Sequence, residues 1–281
     1  MKGDRPSRTA HLVALGRAMA DIGLSHVPGF SDPTARSFLS EKGRKSLAGT
    51  ERAIQEKKGG YRFEMARLMA DMMALRTSAI DMAVRDAITT LGATQLVILG
   101  AGYDGRAWRL RELAGVKVFE VDHPATQGSK RTAVPQLPPE IGSVTFVSVD
   151  FEREQLSTAL DRSGHDPSSP TCWIWEGVVM YLTHEAMRAT LTGIAARSAP
   201  GSTLIVNYHT VRRGWFAQLM FRLIGEPQIS SWSPEEMAAD MRAAGYAVQE
   251  DSGMLDWNSR FANGAANVAR ASYMRIAVAR K

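Results

Sequence analysis

The chain has 281 residues, of which 44% are hydrophobic, and its 34 basic and 29 acidic side chains give a formal net charge of +5. This length and apolar content predict one large α/β unit with extensions. The sequence contains no run of 18 apolar residues, so no membrane span is predicted. The basic residues are scattered and lack the interleaved aromatic side chains of a nucleic-acid surface, so we expect a small-molecule partner.

The N-terminal stretch and the cysteine content indicate the compartment. The basic start of the chain is interrupted at Gly16 and Arg17, which argues against a secretory signal. Cys172 is the single cysteine, so an intrachain disulfide cannot form and a cytoplasmic location is expected.

Residues 1–92 are predicted to form a helical N-terminal extension of one structural unit that continues over residues 93–281. The clearest helix covers residues 61–90, where apolar side chains recur every three or four positions at Met65, Leu68, Met69, Met72 and Met73. On this helix Asp81 and Arg85 are expected to form an exposed i,i+4 pair. Arg76 interrupts the apolar register, and it is either an ordinary exposed arginine or a guanidinium that holds a ligand carboxylate.

The segment QLVILGAGYDGRAWR at residues 95–109 carries the strongest local signal. Residues 96–99 are a short apolar run that predicts a buried parallel strand. Gly100, Gly102 and Gly105 follow in the pattern G-x-G-x-x-G, and residues 106–113 are predicted to form a helix. Because glycines let a ligand approach the backbone and a helix start offers unpaired N–H groups, the pattern indicates a nucleotide-cofactor site, with an ordinary tight turn as the alternative.

Acidic residues end the next two predicted strands. Asp122 ends a strand at residues 117–122, where a carboxylate can accept hydrogen bonds from both hydroxyls of a ribose. Asp150 ends the strand that begins at Val144, and Phe151 follows it, a combination that suits an adenine. The alternative is that Asp150 caps a helix over residues 152–160.

A third acidic residue lies in the apolar sequence WIWEGVVMYL, which predicts a fourth strand at residues 171–179. Glu176 near its end is costly to bury unless it is paired, so it is a candidate site residue. The remaining predicted elements are a helix to about residue 198, a fifth strand at 202–209, a lid helix at 211–225, a helix capped by Ser233, and strands at 246–250 and 273–278.

Two cofactors suit this pattern, a nicotinamide dinucleotide and S-adenosylmethionine. The long helical region before the first strand, the three acidic strand ends, the arginine at position 76 and the arrangement of the last two strands favour S-adenosylmethionine, and no Tyr-x-x-x-Lys pair indicates hydride transfer. An NAD(P)-dependent oxidoreductase and a non-catalytic nucleoside-binding module are the alternatives. No metal site is expected.

Four motifs in their order and spacing resemble the leucine carboxyl methyltransferase family, and most closely its bacterial O-methyltransferases, some of which serve secondary metabolism. They are LGAGYDGRAWR, FEVDHPATQGSKR, VDFE and WEGVVMYLT, and RTSAID at residues 76–81 and DPTARSFL at residues 32–39 also match. The resemblance implies a Rossmann-like class I methyltransferase fold with a seven-stranded, mostly parallel sheet and an antiparallel last strand. Residues 93–281 would then form the S-adenosylmethionine-binding domain. One departure is Gly105, where the family usually has threonine.

The resemblance also implies roles for single residues. Arg76 would bind the carboxylate of the methionine tail, and Glu176 its amino group. Asp122 would hold the ribose hydroxyls. Tyr181 would face the substrate. The segment beneath the methionine and ribose would consist of Gly100, Ala101 and Gly102, and the adenine end would be held by Asp150 and Phe151.

The acceptor is expected to be a small, partly apolar molecule that is methylated on a carboxylate or a hydroxyl oxygen. A carboxylate needs no base, whereas a hydroxyl does, and among His123, His184 and His209 the last is best placed at the end of the fifth strand. No catalytic base is assigned. Arg212 and Trp215 are expected to line the substrate side of the predicted lid.

Overall fold

The computed structural model describes residues 7–150, 154–210 and 228–281. In chain order its strands are β1 (Gln95–Leu99), β2 (Lys117–Asp122), β3 (Ser143–Ser148), β4 (Thr171–Trp175), β5 (Thr203–His209), β6 (Ala247–Gly253) and β7 (Met274–Arg280). They form one sheet in the order β3-β2-β1-β4-β5-β7-β6, in which β1 to β5 are parallel and β7 is antiparallel to both of its neighbours. The predicted seven-stranded, mostly parallel sheet with an antiparallel last strand is confirmed.

The helices cover both faces of this sheet. They are α1 (Arg8–Asp21), α2 (Glu41–Gln55), α3 (Tyr61–Thr89), α4 (Arg106–Arg109), α5 (Pro124–Ala133), α6 (Leu156–Arg162), α7 (His184–Ala196), α8 (Pro234–Ala243) and α9 (Met254–Ala262). One hydrophobic cluster packs α1, α3 and α9 against one face, and a second packs α6, α7 and α8 against the other. Among the described residues, no helix combines the length and the apolar character that a bilayer span requires.

The first strand shows why an apolar run becomes the centre of such a sheet. Leu96 and Ile98 belong to the cluster under α3, while Val97 and Leu99 belong to the cluster on the opposite face. All four are at most 2% exposed, as expected for a parallel strand covered on both sides. Strand order reverses at β1, since β2 and β4 flank it, and ligands of such sheets bind outside the carboxyl ends of the strands at this point.

Two predicted elements are shorter than the sequence indicated. The helix predicted over residues 106–113 ends at Arg109, because Leu110 is extended, and a separate 3₁₀ turn follows at Arg111–Leu113. The fourth strand ends at Trp175, because the chain turns at Gly177 with φ +70°, and Val179–Tyr181 form a 3₁₀ turn.

The helix after the third strand begins later than predicted. Its first residue is Leu156 and the extended Gln155 precedes it, so Asp150 does not cap this helix, and that alternative for the residue is wrong. The predicted lid helix at residues 211–225, including Arg212 and Trp215, lies outside the described residues, as does Phe151.

Candidate functional site

The glycine turn after β1 has a backbone that only glycine adopts easily. Gly100 and Gly102 have φ of +65° and +50°, in the left-handed region. A Cβ atom on Gly100 would also lie 2.3 Å from Cγ2 of Val178, a residue of the turn after β4. The turn is therefore closed on one side by the segment that follows Glu176.

Asp122 is fixed against this turn by backbone hydrogen bonds. Its Oδ2 accepts from the backbone N–H of Gly102 at 2.6 Å, and its Oδ1 accepts from that of His123 at 2.6 Å. Burial raises the pKa of Asp122 above its ordinary value, although these two hydrogen bonds oppose the shift. Each oxygen has a further lone pair, so the carboxylate can still accept hydrogen bonds from a ligand.

Glu176 lies on the other side of the turn, in an ion pair with Arg76. The sheet register places Leu99 beside Trp175, so Glu176 follows β4 at the level where Gly100 follows β1. The Nη2 atom of Arg76 is 2.7 Å from Oε1 of Glu176, with the two side chains 6% and 15% exposed. Arg76 is thus buried, and its interpretation as an ordinary surface arginine is wrong.

Arg106, which the sequence analysis did not single out, holds the second oxygen of Glu176. Its Nη1 donates to Oε2 of Glu176 at 3.0 Å, and its Nε donates to Asp81 at 2.7 Å. The same guanidinium pairs with Asp104 of the glycine turn. Burial alone would raise the pKa of Glu176, but Arg76 and Arg106 outweigh it and lower the pKa below its ordinary value.

The expected exposed pair of Asp81 and Arg85 is also wrong, because Asp81 faces the interior. It accepts hydrogen bonds from Arg109 at 2.5 Å and from Arg106, whereas Arg85 pairs with Glu112. Despite burial, Arg109 and Arg106 lower the pKa of Asp81 to about 2. Asp81 lies four positions after Thr77 and three before Val84, which are both at most 1% exposed, so the helical spacing places it on the inward face of α3.

Thr34 explains the departure at Gly105. A Cβ atom on Gly105 would lie 1.8 Å from Oγ1 of Thr34, so the threonine of the N-terminal segment occupies the space that a side chain at position 105 would need. The Thr34 hydroxyl donates to Asp32 at 2.5 Å, and Asp32 pairs with Arg17 at 2.9 Å. Segments before the sheet therefore contact the glycine turn directly.

The three histidines considered as bases differ in their surroundings. The Nδ1 atom of His123 accepts from the backbone N–H of Ala125 at the start of α5, and His184 stacks on Trp232. His209 is 4% exposed at the end of β5, where its ring meets that of Tyr273 edge-on at 4.9 Å between centroids. Each of the three histidines thus has at least one structural contact.

The structure brings most of the predicted site residues to one edge of the sheet. Asp150 is half-buried just beyond β3, where the N–H of the preceding Val149 donates to the carbonyl of Asp122. Tyr181 is half-buried in the 3₁₀ turn after β4. The residues that gather around the carboxyl ends of β1, β2 and β4 are Arg76, Gly100, Ala101, Gly102, Asp122 and Glu176. Within the described ranges, no three His, Cys, Asp or Glu side chains are grouped so that they could hold a metal ion.

Comparison with known proteins gives matches at the level of family and fold. The family model described as leucine carboxyl methyltransferase matches residues 10–195. A Mycobacterium avium protein is 38% identical over 206 residues, covering 70% of this chain and 64% of that protein. A Mycobacterium tuberculosis protein is 39% identical over 206 residues, covering 69% of this chain and 61% of that protein. Both are named "Putative S-adenosyl-L-methionine-dependent methyltransferase", and the chain matches less than two thirds of their length.

Solved structures share the fold. A Streptomyces avermitilis protein superposes with a TM-score of 0.62 and 14% identity over 98% of both chains. A structure from Thermobifida fusca, titled a putative methyltransferase, gives a TM-score of 0.57 and 15% identity over 99% of this chain and 96% of that one. At these identities the similarity concerns the fold alone.

Proposed function

The chain belongs to the leucine carboxyl methyltransferase family, and on this premise we propose that it is an S-adenosylmethionine-dependent O-methyltransferase. Its acceptor is a small, partly apolar molecule, of the kind found in secondary metabolism, and the methyl group is transferred to a carboxylate or hydroxyl oxygen. The observation that carries the proposal is the buried Arg76–Glu176 pair beside the glycine turn, 2.7 Å between the charged atoms, because a guanidinium and a carboxylate together match an amino-acid tail.

The residues at the carboxyl edge suit the parts of this cofactor. Asp122 has lone pairs left for the ribose hydroxyls, and Gly100 and Gly102 lack side chains that would block the approach of a ligand. Asp150 lies just beyond β3 and would accept a hydrogen bond from the adenine amino group. Arg76 would bind the tail carboxylate and Glu176 the tail amino group.

When bound, S-adenosylmethionine supplies a methyl group that is already activated by the sulfonium. The chain therefore has to hold the acceptor oxygen in line and exclude water. Alternate residues of a strand face the same side, so His209 lies on the same face of β5 as Ile205. Ile205 packs in the hydrophobic cluster that includes α3, and α3 is the helix that carries Arg76. This position makes His209 the candidate to take the proton of a hydroxyl acceptor, while a carboxylate acceptor needs no base.

The proposal is tested by transfer of a labelled methyl group. The purified protein is incubated with S-adenosylmethionine that carries a trideuterated methyl, together with small apolar carboxylic acids, phenols and a bacterial metabolite extract. We expect a product heavier by one labelled methyl group, and alkaline hydrolysis separates an ester, which releases labelled methanol, from an ether, which does not.

The matched control is Glu176→Gln, which keeps the size of the side chain and removes its charge. We expect this variant to lose most of the labelled product. Binding of S-adenosylmethionine without transfer to any pool would contradict a methyltransferase and favour a nucleoside-binding module.

A further inference from the structure

The turn between α2 and α3 is exposed over eight consecutive residues, 55–62. It lies on the carboxyl side of the sheet, because α3 ends before the start of β1, and Arg76 in the middle of this helix already meets Glu176 beyond the end of β4. Tyr61, the first residue of α3, is 15 positions before Arg76, so the turn is about 22 Å from the candidate site along the helix. We call residues 55–65 the α3 tip.

Two large apolar side chains are exposed on the α3 tip. Tyr61 is 81% exposed and Met65 is 48% exposed, and a spacing of four residues places them on the same face of the helix. The structure describes three other exposed apolar side chains of this size, and they lie in three separate segments, at Leu12, Ile229 and Leu255. A single exposed apolar side chain is ordinary, whereas a pair on one helix face indicates contact with an apolar partner.

The α3 tip also carries basic side chains in excess of acidic ones. Its two acidic residues, Glu56 and Glu64, are each paired with a basic neighbour, at 2.6 and 3.4 Å. Lys57 and Arg62 are exposed and have no carboxylate partner in the described part of the chain. Residues 41–67 contain eight basic and four acidic side chains, an excess of four in a chain whose net charge is +5. A partner of the tip is therefore expected to be anionic as well as apolar.

We propose that the α3 tip docks on the surface of an anionic lipid bilayer. Tyr61 and Met65 enter the headgroup region, where amphipathic aromatic side chains are favoured, and Lys57 and Arg62 contact the lipid phosphates. An acidic protein would also attract the cations, but a stable protein interface takes about 20–30 residues on each partner, and the tip has 11. A bilayer binds through a few apolar side chains and nearby cations, which the tip provides.

Co-sedimentation of the full chain with sucrose-loaded vesicles tests the docking. One vesicle preparation is phosphatidylcholine alone, and the other is an equal mixture of phosphatidylcholine and phosphatidylglycerol. We expect binding to the mixed vesicles to be at least about tenfold stronger than to the neutral ones, and to weaken as added salt screens the charges. No nucleoside is added, so the result does not depend on the proposed function.

A pair of charge variants separates the tip from the net charge of the chain. Lys57→Gln combined with Arg62→Gln should weaken binding to the mixed vesicles at least about tenfold. The matched control is Arg111→Gln combined with Lys117→Gln, which removes two exposed cations at the opposite, amino end of the sheet. This control should retain wild-type binding within about threefold, because charges more than a Debye length from the bilayer are screened.

A second pair of variants tests the apolar contact. Tyr61→Ser combined with Met65→Ser should weaken binding at least about fivefold, because the inserted apolar area is lost. The control is Leu255→Ser at the start of α9, where the replaced side chain is 54% exposed, and this variant should bind as the wild-type chain does. Circular dichroism establishes that each variant is folded, as expected for changes at exposed positions.

The inference is overturned if the mixed vesicles do not bind the wild-type chain, or if they bind the charge variant as tightly as its control. It is also overturned if Tyr61→Ser with Met65→Ser leaves vesicle binding unchanged. Two other partners would contradict a bilayer in different ways. Without vesicle binding, self-association that the two serine changes abolish would assign the tip to a second copy of the chain. Binding of poly-glutamate that Lys57→Gln with Arg62→Gln abolishes would instead assign it to an acidic protein.

Discussion

Moving a threonine from position 34 to position 105 tests the packing between the N-terminal segment and the glycine turn. Gly105→Thr introduces the residue that is usual in the family, and the backbone allows it, since φ −119° and ψ 8° are accessible to threonine. The obstacle is Thr34, whose Oγ1 would lie 1.8 Å and whose Cβ would lie 2.9 Å from the new Cβ atom. Thr34 is 1% exposed and its hydroxyl donates to Asp32, so it cannot turn into solvent.

The size of the effect follows from these contacts. Overpacking a buried site costs about 1–3 kcal/mol, and displacing the Thr34 hydroxyl from Asp32 adds about 1 kcal/mol, so Gly105→Thr should lower the free energy of unfolding by about 3 kcal/mol. Thr34→Gly alone should cost about 2 kcal/mol through the lost hydrogen bond, the cavity and the added chain entropy. The double variant exchanges the two residues and should recover at least about 2 kcal/mol relative to the sum of the single costs.

Urea unfolding followed by tryptophan fluorescence measures all three variants. The control is Gly128→Thr in α5, where a Cβ atom would meet no heavy atom within 4 Å, and it should change stability by less than about 1 kcal/mol. Wild-type stability for Gly105→Thr, or strict additivity in the double variant, would refute the packing argument.

Three further results are expected. Burial would raise the pKa of Asp81, but Arg109 and Arg106 lower it to about 2, below the ordinary 3.8. The ionised carboxylate therefore stabilises the folded protein fully above pH 4, and this contribution is lost as the pH falls towards 2. Asp81→Asn should flatten the fall in the free energy of unfolding, measured in urea, over that pH range, and an unchanged slope would count against the pairing. Burial raises the pKa of Cys172 to about 12, so a thiol reagent at pH 8 should label it only on unfolding, and rapid labelling of native protein would contradict its burial. Asp122→Asn should weaken S-adenosylhomocysteine binding at least about tenfold in calorimetry, and unchanged affinity would remove Asp122 from the site.

Much of the sheet could be predicted because its signals are local. An apolar run such as residues 96–99 has to be covered on both faces, and Asp122 and Glu176 come at or just after the ends of such runs. Since parallel strands bring their carboxyl ends to one edge, the position of each acidic residue along the chain was enough to place it near the glycine turn.

The buried ion pairs around Arg106 could not be predicted in the same way, because their partners are far apart in sequence. Asp81 meets Arg106 and Arg109 only after α3 has packed against the start of α4. The i,i+4 rule paired Asp81 with Arg85 because it considers one helix alone, whereas tertiary contacts decide which face is buried. The space at Gly105 likewise depends on Thr34, 71 positions earlier in the chain.

The helix starts and strand ends that differ from prediction depend on single backbone conformations. Glu176 lies after β4 rather than within it, because Gly177 has a positive φ and turns the chain. This difference matters for the site, because a side chain just beyond the end of a strand can face the carboxyl edge of the sheet. The strand itself stays buried between the helices on both faces.

The proposed function requires the carboxyl edge of this sheet to bind an adenosine with an amino-acid tail, and titration calorimetry measures this binding most directly. S-adenosylmethionine and NADH are titrated in parallel into wild-type protein and into Glu176→Gln. We expect one S-adenosylmethionine to bind per chain, clearly weaker binding to the variant, and no binding of NADH to either protein. Binding of NADH to wild-type protein with no heat from S-adenosylmethionine would contradict it.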